Sequence, residues 1–178
     1  ENINLIEAGL FHRFDATNIL KKNLASIVTS IGLDHLDWLP KKEQTVKKII
    51  YEKTSSLLNS KIIIAKQSSN EISNKIQDTI KDNTSKKVIF NKDYNFTLKE
   101  NDFFYFEDEF GVIKLPKPNL PGEFQLENVS TAIATARQLT DIKITPDHIK
   151  KGITKIESVA RLQEIKSGKL KELVKNNQ

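Results

Sequence analysis

The 178-residue sequence contains no cysteine and no methionine. Without cysteine there can be no disulfide scaffold, no cysteine-ligated metal and no thiol nucleophile. The sequence starts at Glu1 rather than at an initiating methionine, so we expect a processed start or a segment of a longer protein. No apolar run approaches the roughly 20 residues that a membrane-spanning helix needs, and no signal peptide is visible. We therefore expect a cytoplasmic protein that contacts no membrane.

Arginine is scarce as well. The 28 basic residues include only three arginines, 23 residues are acidic, and the formal net charge is +5. The lysines are spread along the chain with acidic residues among them, whereas nucleic-acid-binding surfaces usually cluster arginine with aromatic side chains. Hydrophobic residues make up 38% of the sequence, which is enough for a folded core. We therefore expect a globular protein that does not bind nucleic acid.

Predicted strands and helices alternate in the first half of the chain. The strands are residues 2–8, 24–31, 62–65 and 87–91, and the helices are residues 43–58 and 70–80. This alternation is typical of a parallel sheet, and we expect residues 24–31 to be buried on both faces. The remaining elements are predicted strands at 94–98, 103–107 and 111–115 and predicted helices at 125–140 and 146–153. The predicted fold class is α/β, with a mainly parallel sheet and a small antiparallel β-meander.

Glu7 and His35 follow two of the predicted parallel strands. Open α/β sheets bind ligands at the carboxyl ends of their strands, so a divalent cation between these two side chains is one interpretation. Magnesium prefers oxygen ligands, and a histidine ligand is unusual for it. Residues in ordinary surface turns are the other interpretation, and the pair alone does not decide between them.

Four other positions carry polar groups of interest. The segment Asp-Ala-Thr-Asn at 15–18 either caps a turn or holds a substrate headgroup. Lys53 is most simply a solvated helix residue, although a buried lysine can be reactive. Asn128 can contact a base edge and Arg161 a phosphate, but each is weak evidence by itself. The sequence contains neither G-x-x-x-x-G-K-[ST] nor G-x-G-x-x-G, so it has no Gly-rich phosphate loop.

These segments occur in a recognisable order. Glu-Ala-Gly-Leu at 7–10, Arg-Phe-Asp-Ala-Thr-Asn at 13–18 and Thr-Ser-Ile-Gly-Leu-Asp-His at 29–35 resemble the folylpolyglutamate synthase/dihydrofolate synthase family. Glu-Lys at 52–53, Leu-Pro-Gly at 120–122 with Gln125 and Asn128, and Arg-Leu-Gln at 161–163 continue the resemblance. It extends from the first residue to about residue 173.

The resemblance implies a fold and an activity. Members of this family are Mur-ligase-like enzymes with a three-layer central domain similar to P-loop NTPases. Residues 1–164 would be an incomplete central ATPase domain, and residues 165–178 the linker and the start of a C-terminal ligase domain. The implied reaction joins L-glutamate to dihydropteroate or to folates through an acyl phosphate, with ATP as cosubstrate and Mg²⁺ as cofactor. Metal and cationic groups would neutralise the phosphate charge.

The resemblance also implies roles for single residues. Glu7 and His35 match the magnesium ligands, and Lys53 matches a carbamylated lysine beside the metal. The loop that meets the pterin substrate is matched by Phe14, Asp15 and Ala16, and the ATP contacts are matched by Asn128 and Arg161.

The sequence departs from the family pattern at several positions. Phe11 and His12 replace two glycines before Arg13, where side chains can crowd a tight turn. Phe124 replaces a histidine, and Ala160 replaces a glycine. The family's phosphate loop and most of its C-terminal domain lie outside the sequence. We therefore expect the chain alone to be inactive, because ATP would lose most of its anchoring.

Three other interpretations remain open. The chain can be a nucleotide- or pterin-binding remnant, or it can be one part of a split ligase that a second chain complements. It can also be a cell-wall peptide ligase of the Mur type, although the Asp-Ala-Thr-Asn segment argues against that. The expected partners are dihydropteroate or a folate, L-glutamate and ATP, and we expect a monomer.

Overall fold

The computed structural model describes residues 3–99, 102–156, 168–169 and 171–172. Three strands form a parallel sheet in the order β1 (Ala25–Val28), β2 (Lys61–Ile64) and β3 (Lys87–Ile89). Ile63 of β2 pairs with Ile27 on one side and with Val88 on the other. The central strand β2 is an isoleucine run, as expected for a strand that is covered on both faces.

Two helices cover one face of this sheet. They are α1 (Val46–Thr54) and α2 (Asn70–Thr79), and each begins with a capping side chain. The hydroxyl of Thr45 accepts from the backbone N–H of Lys48, and Ser69 caps α2 in the same way. The buried residues of this layer are Val28, Ile31, Leu39, Ile49, Ile50, Ile62, Ile64, Ile76, Ile80 and Ile89.

The second half of the chain covers the other face. It contains the antiparallel meander β4 (Tyr94–Leu98), β5 (Phe103–Asp108) and β6 (Gly111–Pro116), followed by α3 (Phe124–Gln138) and α4 (Pro146–Thr154). Ile63 and Val88 point into this second core, together with side chains of the meander and both helices. Gly111 has φ +95° in the β5–β6 turn, a conformation that favours glycine. The molecule is therefore α/β, with helices on both faces of the parallel sheet, as predicted.

The first predicted strand is wrong. Residues 3–9 belong to no strand among the described residues, and the apolar side chains of Ile3, Leu5 and Ile6 are exposed. The sequence has strand propensity, but a strand needs a hydrogen-bonded neighbour, and β1 pairs only with β2 in the described part of the chain. β1 is an edge strand of the described sheet, and its Ile27 side chain is exposed, so the expectation that residues 24–31 are buried on both faces is also wrong.

The other element boundaries shift by a few residues. The predicted helix at 43–58 is shorter, since α1 ends at Thr54 and a separate 3-10 turn, Lys41–Glu43, precedes it. Among the described residues, no helix combines the length and the apolar composition that crossing a bilayer requires. Residue 2, residue 161 and most of the predicted linker at 165–178 lie outside the described residues.

Candidate functional site

The loop at residues 9–20 closes on itself through Asp15. The carboxylate of Asp15 caps a short 3-10 helix, Ala16–Ile19, and accepts from the backbone N–H groups of Thr17 and Gly9, each at 2.9 Å. Hydrogen bonding from Thr17 foremost, and then from the backbone N–H of Gly9, lowers the pKa of Asp15 to about 2. The side-chain amide of Asn18 donates to the carbonyls of His12 and Arg13. The Asp-Ala-Thr-Asn segment is thus a capped turn with one conformation defined by its own side chains.

An ion pair fastens this loop to α1. Arg13 donates from Nε to Oε2 of Glu52 at 2.7 Å and from Nη2 to Oε1 at 2.8 Å. The backbone N–H of Arg13 also donates to the carbonyl of Glu52 at 2.9 Å. The Glu52 side chain is 6% exposed, and Lys48 contacts it from the preceding turn at 3.2 Å. Hydrogen bonding to Arg13 and Lys48 lowers the pKa of Glu52, although its burial acts in the opposite direction.

The predicted substrate-contacting residues lie on the outside of this anchored loop. Phe14 is 82% exposed, and the guanidinium carbon of Arg13 lies 4.0 Å from the centre of its ring. Ala16 is exposed as well. The guanidinium lies over one side of the Phe14 ring, and most of the ring surface remains open. The loop therefore presents an aromatic surface beside the small side chain of Ala16 and the carboxylate of Asp15.

His35 lies near the same loop. It has the left-handed conformation, with φ 55°, at the start of a 3-10 turn, Leu36–Trp38. Its Nε2 is 3.0 Å from a carboxylate oxygen of Asp34, and its ring meets the Phe11 ring edge-on at 6.2 Å between centroids. Phe11, which replaces a glycine of the resembled family, is thus a contact between the loop and His35.

Glu7 lies two residues before Gly9 and is exposed in a segment without regular secondary structure. In the described part of the chain, no three or more His, Cys, Asp or Glu side chains gather as a metal-binding group. A protein site for Mg²⁺ can consist of only one or two carboxylates, because water and phosphate oxygens supply its other ligands. The carboxylate of Glu7 fits such a site, and the imidazole of His35 is a less usual addition.

The remaining predicted residues occupy different positions. Lys53 is half-buried on α1, directly after Glu52. Asn128 lies on α3 and is exposed, with its amide 3.4 Å from Oε1 of Gln125. Arg161 lies outside the described residues. The contacts described above connect the loop with α1 and with His35, while Asn128 belongs to the layer on the other face of the sheet.

Two features of this region were missed in the sequence. Gln67 joins the ends of β1 and β2: its Oε1 accepts from Ile31 N–H at 2.9 Å, and its Nε2 donates to the carbonyls of Ala65 and Thr29. The pairing of Arg13 with Glu52 was also missed. The available signal was a glutamate three residues after the buried Ile49, on the apolar side of α1.

A separate cleft lies at the opposite edge of the sheet, where the strands begin. Its volume is about 430 Å³, and Asn59, Lys61, Ser85 and Lys86 are among its lining residues. Lys61 donates to the carbonyl of Gln138 there, so this cation already has an acceptor. None of the predicted site residues that the structure describes lines this cleft.

Comparison with known proteins identifies relatives. No protein-family model matches the chain. The dihydrofolate synthase/folylpolyglutamate synthase of Escherichia coli K12 is 28% identical over 163 residues, which are 91% of this chain and 36% of that enzyme. The enzyme of the same name from Haemophilus influenzae is 27% identical over 97% of this chain and 37% of its own length. The chain therefore spans somewhat more than a third of the length of these curated relatives.

Solved structures give the same result. The structure of E. coli FolC in complex with DHPP and ADP aligns with a TM-score of 0.72 at 28% identity, over 89% of this chain and 36% of that one. The apo form of L. casei FPGS aligns with a TM-score of 0.76 at 23% identity, over 91% and 40% of the two chains. The fold is therefore that of the matching part of the folylpolyglutamate synthases. The resemblance predicted from the motifs is confirmed: the chain is a relative of dihydrofolate synthase/folylpolyglutamate synthase over about nine tenths of its length.

Proposed function

We propose that the chain is part of an ATP-dependent ligase that joins L-glutamate to dihydropteroate or to a folate. One observation carries the proposal: the anchored loop lies against two other segments of the resemblance, Glu-Lys at 52–53 and the segment that ends at His35. The Arg13–Glu52 pair holds Phe14 beside the helix that carries Lys53, and the contact of Phe11 with His35 adds the second motif. The names of the relatives support the same class of reaction.

The proposed reaction has two steps. The γ-phosphoryl group of ATP passes to a carboxylate oxygen of the substrate, which forms an acyl phosphate and ADP. The amine of glutamate then attacks the acyl carbon, the C–O bond to phosphate breaks, and an amide, inorganic phosphate and a proton result. Magnesium, when bound, neutralises the charge of the phosphate oxygens. Glu7 and His35 would hold it.

The chain's own residues would bind and orient the substrates. We assign the pterin to the aromatic surface of Phe14, with Asp15 and Ala16 at its side. Lys53 would be carbamylated, which turns its ammonium cation into an anionic group near the metal. Asn128 would contact the nucleotide base, and Arg161 would contact the nucleotide on the evidence of the sequence motif alone.

Calorimetric titration with dihydropteroate tests the proposal. The unaltered chain should bind it, and Phe14→Ala should weaken binding by roughly two- to tenfold, because a stacking surface of this kind contributes roughly 0.5–1.5 kcal/mol. Phe110→Ala is the matched control, since Phe110 is also an exposed phenylalanine, at the β5–β6 turn. Its affinity should equal that of the unaltered chain. No binding by the unaltered chain, or equal losses in both variants, would contradict the proposal.

An assay of the 178-residue chain with ATP–Mg²⁺, glutamate and dihydropteroate tests the related expectation of inactivity. The sequence has no Gly-rich phosphate loop, so we expect no amide product. Product formation by the purified chain would contradict this expectation and would leave the substrate assignment in place.

A further inference from the structure

We propose that Glu52 is a positioning residue, which holds the Phe14 ring in place for a flat heterocyclic ligand through its paired contacts with Arg13. The ligand in this inference, a pterin, rests on the proposed function. The positioning itself rests only on contacts between described residues.

The pairing leaves Arg13 little freedom. Two parallel hydrogen bonds to the carboxylate fix the plane of the guanidinium, and the backbone bond from Arg13 to Glu52 fixes the position of the loop. A lysine at this position would keep the positive charge but would lose the planar fork. The geometry of Arg13 is therefore set by Glu52.

The guanidinium in turn orients the aromatic ring. Its edge is occupied by Glu52, while its carbon lies 4.0 Å from the centre of the Phe14 ring and 5.2 Å from that of Tyr51. Contacts of this kind are attractive and favour one ring orientation. Phe14 is nevertheless 82% exposed, so most of its surface stays open for a ligand.

Glu52 is suited to this role because it is itself held firmly. Its side chain is 6% exposed, and Lys48 binds its carboxylate at 3.2 Å. Lys48 is also bound to Glu43 at 2.7 Å, which ties it to the turn before α1. The chain of contacts from Glu43 to Phe14 thus connects a folded helix to an exposed ring.

Hydrogen exchange of the loop amides tests the positioning without any ligand. In Glu52→Gln, the backbone amides of residues 9–18 should exchange about tenfold faster, since the amide cannot accept both bonds from the fork. Asp108→Asn is the matched control, because Asp108 forms the same two-bonded pair with Arg137 far from the loop. In Asp108→Asn, the backbone amides of residues 9–18 should exchange at the same rate as in the unaltered chain. Unchanged exchange in Glu52→Gln, or equal acceleration in the control, would overturn the inference.

Affinity for dihydropteroate separates this inference from the proposed function. If both are right, Glu52→Gln should bind about tenfold more weakly than the unaltered chain, because a ring that must be ordered on binding costs affinity. Asp108→Asn should bind normally. Faster exchange in Glu52→Gln with no binding by the unaltered chain would support positioning by Glu52 and overturn the ligand assignment. Normal binding by Glu52→Gln would overturn the positioning.

Discussion

Among the described residues, two arginine–carboxylate pairs have almost the same geometry in very different surroundings. Arg13 and Glu52 are joined by bonds of 2.7 and 2.8 Å, and Arg137 and Asp108 by two bonds of 2.8 Å. The first pair joins an irregular loop to α1. The second joins α3 to the end of β5, within regular structure.

The surroundings determine what each pair does. The Arg137 and Asp108 side chains are 11% and 2% exposed, so the loss of either partner leaves a charge that water hardly reaches. Arg13 is 29% exposed, and water can replace its lost partner. The comparison teaches that one contact geometry can serve stability in one place and the position of a side chain in another.

The largest expected effect concerns the inner pair. Asp108→Asn should lower the free energy of unfolding by about 2 kcal/mol, because the largely buried guanidinium of Arg137 loses its counter-charge. Urea denaturation followed by circular dichroism measures this loss. A loss well under 1 kcal/mol would show that Arg137 finds another partner, and the contrast between the pairs would fail.

A smaller loss of stability is expected for the loop pair. Glu52→Gln should lower the free energy of unfolding by about 1 kcal/mol or less, since Arg13 can turn to water. The same denaturation experiment, run beside Asp108→Asn, checks it. If the two variants lost equal stability, the loop pair would be part of the folding core, and its positioning role would no longer be distinctive.

The smallest expected effect is the titration of Asp15. Its pKa in the folded chain is about 2, against an ordinary value of 3.8. A lowered carboxyl pKa means that the contribution of Asp15 to the loop is present above its ordinary value and is lost as the pH falls through about 2. The amide chemical shifts of Gly9 and Thr17, followed by NMR between pH 5 and pH 1.5, should therefore move with a midpoint near 2.

Asp15→Asn is the control for this titration, because an amide does not ionise in that range. Its Gly9 and Thr17 amide shifts should show no transition at low pH. A midpoint at the ordinary value in the unaltered chain would mean that the loop is not held by its cap, and the Arg13–Glu52 pair would then have to hold it alone.

The sequence predicted most of the fold. The isoleucine run of β2 and the apolar stripe of α2 are local patterns, and β4 occurs with the predicted bounds. Residues 2–8 have an equally apolar pattern, but its described part is an exposed segment. The apolar pattern of a segment indicates which side chains it can bury. Whether the segment forms a strand also depends on the strands that lie next to it in the folded chain.

The candidate site was predictable in part. The Asp15 cap is visible in the sequence because the residues that form it are close together along the chain. The partner of Arg13 is not visible in the same way, since 39 residues separate it from Glu52 and only the folded chain brings them together. Phe11 and His12 stand where side chains can crowd a tight turn, and their contacts are not visible in the sequence either. Phe11 packs edge-on against His35, and Nδ1 of His12 lies 2.9 Å from the hydroxyl oxygen of Ser56.

The contacts of Gln67 at the carboxyl ends of β1 and β2 require an amide and would not tolerate a carboxylate. Its nitrogen donates to two carbonyls and its oxygen accepts one N–H. Deamidation to glutamate changes the size of this side chain hardly at all, but it replaces the donor by a negatively charged oxygen. That oxygen would face the carbonyls of Thr29 and Ala65, and the repulsion would separate the ends of β1 and β2. The segment that leads to His35 begins at this point. Hydrolysis of this single amide would therefore displace His35 and disturb the candidate site without changing any of its residues.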